Sequence, residues 1–372
     1  MTVPFIDLTR INQPYAADVR AALEVFIDSG EYVLGATVKR FEENFARRIR
    51  TAHAVGVANS SDAIYLALLA LGVQPGEEVI CPVFGYPAAA VAVPRIGATL
   101  VFADVDDNFQ IDPESVRGLV TERTRAILAV HTFGRAANMA ALEQIASECG
   151  VHLIEDASHA CGAEIGGTPV GNTGIAGIFS FYPSRNLGAI GDGGMIVTNN
   201  EELAARLRLY RDLGRDEAGR TVDLGIASRL DAFQAAVLDI KLGSLDEDNA
   251  DRAANADFYR EHLNGEVFAM PAPTEEGAHV YNMFAIRHPQ RDQLRNFLKE
   301  RLVETRVHYP RPLHLEPCFE YLGYREGHFP NAERLCKEIL SLPISPGLSR
   351  RELDEVVHAM GLFAQTFPAP IK

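Results

Sequence analysis

The sequence contains no apolar run near the roughly 18 to 20 residues that a membrane-spanning helix requires, so no helical membrane anchor is expected. Its first ten residues, MTVPFIDLTR, lack the apolar core of an export signal, which points to a cytoplasmic protein. Cysteine is sparse: Cys81, Cys149, Cys161, Cys318 and Cys336 show neither CxxC spacing nor a dense pattern. That excludes a disulfide scaffold and suggests reduced thiols buried as small apolar residues. No Cys or His pairs fall at ligand spacing on one turn or helix face, so no metal site is expected. Basic residues are short as well, with 35 Lys and Arg against 50 Asp and Glu and a net charge of −15. Such a balance argues against nucleic acid or an anionic membrane as partner, since either needs a positive patch. Low-complexity tracts, internal repeats and flexible linkers are missing; residues 270–278, MPAPTEEGA, are the best loop candidate.

What is present is an ordinary globular composition, 47% hydrophobic and 23% charged, over 372 residues. That length exceeds the size at which single cores stop growing, so two lobes are expected. Between residues 53 and 200 short apolar runs alternate with amphipathic segments, the pattern of an α/β domain with a mostly parallel seven-stranded sheet covered by helices. The expected strands are 54–58, 78–82, 99–105, 126–131, 152–157, 175–181 and 194–199. Helices are expected at 61–72, where apolar residues recur near a 3.6 period, and at 141–150, which a glycine ends. A further long helix is expected to start after Ser228 and run to about residue 263, linking the lobes. Residues 1–245 thus read as a large α/β domain and 246–372 as a smaller α+β domain with a strand in HVYNMFAIRH, 279–288.

The chemistry is expected at the carboxyl ends of the parallel strands, where open α/β sheets bind ligands. Asp156, in IEDASHACGA, stands at such an end. It could simply cap the following helix. Together with an aromatic after an earlier strand, Tyr86, and a serine ending a later one, Ser180, it suits a pyridoxal phosphate (PLP) pocket. Such a pocket needs an anion beside the pyridine nitrogen, an aromatic face on the ring, and hydroxyls with helix-start amides around the phosphate.

Nearly the whole chain resembles the DegT/DnrJ/EryC1/StrS family of sugar aminotransferases, enzymes of the type I PLP-transferase fold. The likeness is carried in order by FIDLTR, DSGEYVLG, ANSSDAIYLALLALG, GEEVICPVFGY, IEDASHACGA, FSFYPSRNLGAIGDGG, SRLDAFQAAVL, HYPRPLH and LSLPISP. The resemblance implies that Asp156 partners the pyridine nitrogen, that His159 lies near the ring hydroxyl, and that Tyr86 stacks on the ring. It implies that Ser180 donates to the phosphate and that Ser60 and Ser61 head the helix whose amides hold it. Plain N-capping is the alternative for both serines. Glu31, His308, Arg311 and His314 would border the substrate, a nucleotide-activated keto sugar; solvated loop residues are the alternative. A homodimer is implied too, because the family builds its site at a subunit interface. Asp192 reads as a turn residue, and His131 ends a strand near the expected site.

Two departures stand out. Arg185 occupies the place of the lysine that binds the cofactor, and Ala227 that of an asparagine reaching the neighbouring subunit's phosphate. A guanidinium stays charged at any accessible pH and cannot form an imine. PLP or its amine form, pyridoxamine phosphate (PMP), would then be held without a covalent link, with His159 moving protons. Two alternatives stay open: a cofactor-free enzyme using Arg185 and His159, and a non-catalytic partner or sensor of an active relative. A buried Asp156 without a cofactor lacks its cationic partner, so Arg185 is expected to reach into the pocket and pair with it, directly or through water, or to pair with a bound anion.

Overall fold

The computed structural model describes residues 2–367. Its large sheet has seven strands: β1 (His53–Val57), β2 (Glu78–Pro82), β3 (Thr99–Ala103), β4 (Thr124–Val130), β5 (His152–Asp156), β8 (Ala176–Ser180) and β9 (Gly194–Thr198). A short hairpin, β6 (Glu164–Ile165) with β7 (Thr168–Pro169), lies between β5 and β8. The spatial order is β1-β9-β8-β5-β4-β2-β3, and only β9 runs against its neighbours. Helices cover both faces, so β2, β8 and β9 are buried along their whole length. This double burial is why the strands read as continuous apolar runs rather than alternating ones.

The topology brings one end of the sheet together as a platform. β1, β2, β4, β5 and β8 all deliver their carboxyl ends to the same edge, and the antiparallel β9 starts there at Gly194. A Cβ at Gly194 would lie 2.5 Å from the carbonyl carbon of Asn59. The bare glycine therefore lets the head of the helix Ser60–Ala70 sit close against β9.

Two expected elements differ. The long helix is two, Ala232–Leu242 and Leu245–His262, because Gly243 and Ser244 interrupt it. Asp246, Glu247 and Asp248 then fill the first turn of the second helix, where its positive end favours carboxylates. The expected strand 279–288 is regular only over β10 (Phe284–Arg287), which pairs antiparallel with β11 (Ile339–Leu342). Residues 280–283 instead bond to the large lobe, with Val280 N–H on Gly134 O at 2.9 Å and Tyr281 at a φ of 45°. That detour carries Asn282 and Met283 toward the platform. A separate apolar cluster joins residues from Ala256 to Phe363 around Phe284, Leu298 and Met360, and the N-terminal Val3 belongs to it. Cys149 and Cys318 are exposed, contrary to the expectation of burial, while the other three cysteines are buried.

Under the platform, β5 carries two consecutive carboxylates to opposite faces, since strand side chains alternate. Glu155 is fully buried and accepts hydrogen bonds from the N–H groups of Gly171 (2.8 Å), Thr173 and Gly174 (both 2.7 Å) and contacts His131 Nε2 at 3.0 Å. His131 also accepts at Nδ1 from Ala137 N–H (3.0 Å), so it is part of the scaffold. Burial alone would raise the Glu155 carboxyl, but His131 and the amides hold it below the ordinary range. A depressed carboxyl contributes stability above the unfolded value of 4.5, and that contribution is lost as pH falls through the lower folded value. Glu155→Ala is expected to cost about 3 to 5 kcal/mol of unfolding free energy, because it strands buried donors. It should also flatten the acid limb of the stability profile. Urea unfolding at several pH values checks both, and a cost under about 1 kcal/mol would contradict the assignment.

Candidate active site

Two cavities adjoin at the platform. The outer one, about 360 Å³, is lined by Asn59, Ser60, Ser61, Tyr86, Ser180, Tyr182, Ser184, Arg185, Asp192, Met283, His308 and Tyr309, among others. The inner one, about 20 Å³, is bordered by Thr132, Asp156, Ser158 and His159. Ser60, Tyr86 and Arg185 border both.

Each wall follows from the chain's local chemistry. Asp156 ends β5, is buried, and accepts from Ser158 N–H at Oδ1 (3.0 Å). Burial pushes its carboxyl above the usual value, against the pull of Ser158, Arg185 and His131. His159 follows one turn later, and its Nδ1 accepts from Phe133 N–H at 3.2 Å. That acceptor role places the ring proton of the neutral imidazole on Nε2. Burial, with Arg185 and His308 adding to it, holds His159 well below the ordinary histidine range. Ser180 ends β8 and accepts from Tyr182 N–H at 3.4 Å.

The helix Ser60–Ala70 is capped by Asn59, whose side chain accepts from Asp62 N–H at 2.9 Å. Ser60 and Ser61 therefore do not cap the helix; they occupy its first two positions and line the outer cavity. At such a head the free backbone N–H groups and the helix dipole favour an anion. Tyr86 stands at the mouth with 59% of its surface exposed.

Arg185 points into the pocket, half-buried at its wall. Its loop is held from behind. Asn186 donates to Asn249 Oδ1 (2.6 Å) and Val280 O (2.8 Å), and the buried Lys241 donates to Gly188 O (2.6 Å). Asn282 donates to Asn186 Oδ1 (2.9 Å) and Ser184 O (3.2 Å), and its own oxygen lies 3.5 Å from Arg185 Nη1. The expected direct pair with Asp156 is not formed: among the described residues no carboxylate lies within 4.0 Å of the guanidinium. Asp156 acts on Arg185 only through space. Burial lowers the basicity of Arg185, opposed by Tyr309, Asp156, Tyr86 and Tyr182.

The substrate-side residues divide. His308 lines the outer cavity, with Nδ1 3.0 Å from Ser341 Oγ; burial, aided by Arg185 and Arg306, lowers it to about 4. His314 does not reach the cavity. It is buried beside Phe329 with Nε2 3.1 Å from Glu333 Oε1, a core contact. Arg311 is exposed and faces Glu316 at 3.7 Å. Glu31 borders a different surface pocket, with Val25, Phe26 and Arg40. Asp192, Tyr182, Ser184, Tyr309 and Met283 line the cavity without having been singled out for it. The dipeptide His308-Tyr309 within HYPRPLH was the available signal for Tyr309; Met283 arrives only through the 280–283 detour.

Comparison with known proteins agrees with this architecture. The DegT/DnrJ/EryC1/StrS aminotransferase family model matches residues 15–361. The chain is 42% identical over 371 residues to a pleiotropic regulatory protein of Geobacillus stearothermophilus, covering 99% of this chain and 100% of that one. It is 41% identical to the dTDP-3-amino-3,4,6-trideoxy-alpha-D-glucose transaminase of Streptomyces venezuelae, over 98% of this chain and 96% of that protein. The crystal structure of S. venezuelae DesV in complex with a ketimine intermediate superposes with a TM-score of 0.95 at 41% identity, covering 98% of this chain and 99% of that one. With a platform of strand ends, a matching family model and full-length relatives at this identity, the chain belongs to the DegT/DnrJ/EryC1/StrS aminotransferase family.

Proposed function

We propose that this protein acts on a nucleotide-activated keto sugar or a related small metabolite in sugar, antibiotic or polysaccharide biosynthesis, with PLP or PMP held in its pocket without a covalent link. The observation that carries the reading is the shared wall of the two cavities. Among the described residues Arg185 is the only lysine or arginine lining either one. The names of transaminase relatives acting on dTDP-linked amino sugars support the substrate class.

The residues present fit the cofactor apart from the missing amine. Asp156 would hold the pyridine nitrogen, Tyr86 would cover the ring, and Ser60, Ser61 and Ser180 with the helix-head amides would hold the phosphate. Thr132 Oγ1 is buried beside this space with no partner among the described residues, as a pocket built for a polar ligand would leave it. When bound, the group supplies an electron sink for proton and amino-group movement at a sugar carbon. Arg185 cannot move protons there. The neutral His159, with its proton on Nε2, is the residue placed to hold or pass one. His308, also kept neutral, orients substrate from the outer cavity. The protein is read as a cytoplasmic homodimer, with a large N-terminal and a smaller C-terminal domain. Support for the dimer comes from exposed apolar side chains, among them Val25 (70%) and Leu224 (85%), and from a helix, Ala16–Ser29, that buries none of its own residues.

Two outcomes test the reading. Arg185→Lys restores an amine able to lose its proton, so this variant is expected to keep the visible absorbance of added PLP through dialysis. Its loss on dialysis would mean that the phosphate side of the pocket no longer holds the group. Asp156→Asn is expected to weaken reversible PLP binding about tenfold or more, the worth of a hydrogen bond to a charged group. The same variant should stabilise the ligand-free protein at neutral pH. A carboxyl raised above its unfolded value of 3.8 favours the fold only while protonated, and that advantage is lost as pH rises through the folded value. Equilibrium dialysis and thermal unfolding check the two effects; unchanged PLP affinity would remove Asp156 from the site.

A further inference from the structure

We infer that Arg185 anchors an oxyanion site, so that the pocket takes a small ligand whose carboxylate or phosphate sits on the guanidinium. The inference rests on the reading of this cavity as the working pocket, but it does not need the cofactor.

It starts from the charge itself. Arg185 is half-buried and bears a permanent positive charge, yet among the described residues no carboxylate comes within 4.0 Å of it. Among the described residues its one hydrogen bond, Nη1 to Asn282 Oδ1, is 3.5 Å long, at the limit of such contacts. Nε is buried and has no partner among them. A desolvated cation left like this costs stability unless a ligand supplies the counter-charge. Asp156, the only buried carboxylate of the two cavities among the described residues, is beyond pairing distance and already accepts from Ser158.

The unpaired groups also have a shape. Nη1 leans on Asn282 and Nε is shut in by the protein, so Nη2 is the nitrogen left to meet a ligand, with no hydrogen-bond partner among the described residues. Its N–H groups suit an oxygen of a carboxylate or phosphate, as a charge-assisted hydrogen bond. The loop behind is tied down by Asn186, Asn282 and Lys241, which holds the guanidinium at the wall. Around it stand neutral donors and acceptors: the hydroxyls of Tyr309 and Ser184, and His308, which Arg185 itself helps to keep uncharged. A lysine at this position would offer an ammonium that burial readily deprotonates, not a permanent cation. The substitution therefore changes the ligand chemistry of the wall from amine to anion receptor.

Calorimetric titration with malonate, its neutral diamide and inorganic phosphate tests this, using wild type, Arg185→Gln and Arg185→Lys. Malonate is expected to bind wild type and raise its unfolding temperature, while malonamide does neither. Arg185→Gln should weaken malonate about tenfold or more and leave the ligand-free protein at least as stable as wild type. Arg185→Lys should bind malonate between the two, since a half-buried amine carries its charge less securely than a guanidinium; should the glutamine variant fail to fold, this comparison decides alone. Phosphate binding lost in Arg185→Gln assigns phosphate to the same guanidinium. Phosphate that binds both proteins equally, with malonate inert, places the anion at the head of the helix Ser60–Ala70 and overturns the inference. Equal effects of malonate and malonamide, or a lysine variant indistinguishable from wild type, overturn it as well. Reversible PLP binding without malonate binding would sink this inference and leave the proposed function standing; malonate binding without PLP binding would do the reverse.

Discussion

Asp156 and Arg185 face one pocket with opposite charges and do not touch. Both are desolvated, and the acid and the base are each shifted toward the neutral form by burial, with the other group only partly opposing it. A protein that merely tolerated an arginine here could have turned it outward or closed it onto the aspartate. Instead the backbone of the 184–188 loop is fixed by Asn186, Asn282 and Lys241, and the two charges are kept apart. The space between them is what a ligand must fill. Whatever the pocket holds must answer an acid at one side and a guanidinium at the other.

The platform makes that separation possible. Parallel strands end at the same edge, so residues distant in sequence, from Ser60 to Ser180, meet without any of them being chosen by its neighbours. The scaffold role and the proposed ligand role alternate along one strand. Glu155 is consumed by three amides and His131, whereas Asp156, one residue later and on the opposite face, has a single backbone donor and opens on the cavity. The same split explains the histidines. His131 and His314 are each engaged at Nε2 by a buried glutamate, while His159 and His308 sit on cavity walls and are held neutral.

Much of this could be read along the chain. The seven sheet strands were legible because doubly covered strands are short apolar runs bounded by polar segments, and their ends predict where Asp156, Ser180 and Tyr86 fall. Legibility failed where structure depends on partners far away in sequence. Nothing near His314 announces that Glu333 will bury it, nor does DSGEYVLG show that Glu31 ends exposed beside a separate surface pocket. The helix break at Gly243 lay inside a periodic stretch, and the strand 279–288 was shortened by bonds to Gly134 and Phe133 that no local pattern encodes. Asn59, not the serines after it, became the helix cap because its side chain reaches Asp62 N–H across the first turn.

The central proposal is that any cofactor in this pocket is a guest without a covalent link, because the wall that borders both cavities offers a guanidinium and, among the described residues, no amine. Its most direct test is the intact mass of the wild-type protein after incubation with PLP and treatment with borohydride. The account predicts an unchanged polypeptide mass under conditions where reversible PLP binding is saturated. One stoichiometric equivalent of reduced cofactor fixed to a single lysine of the chain would contradict it.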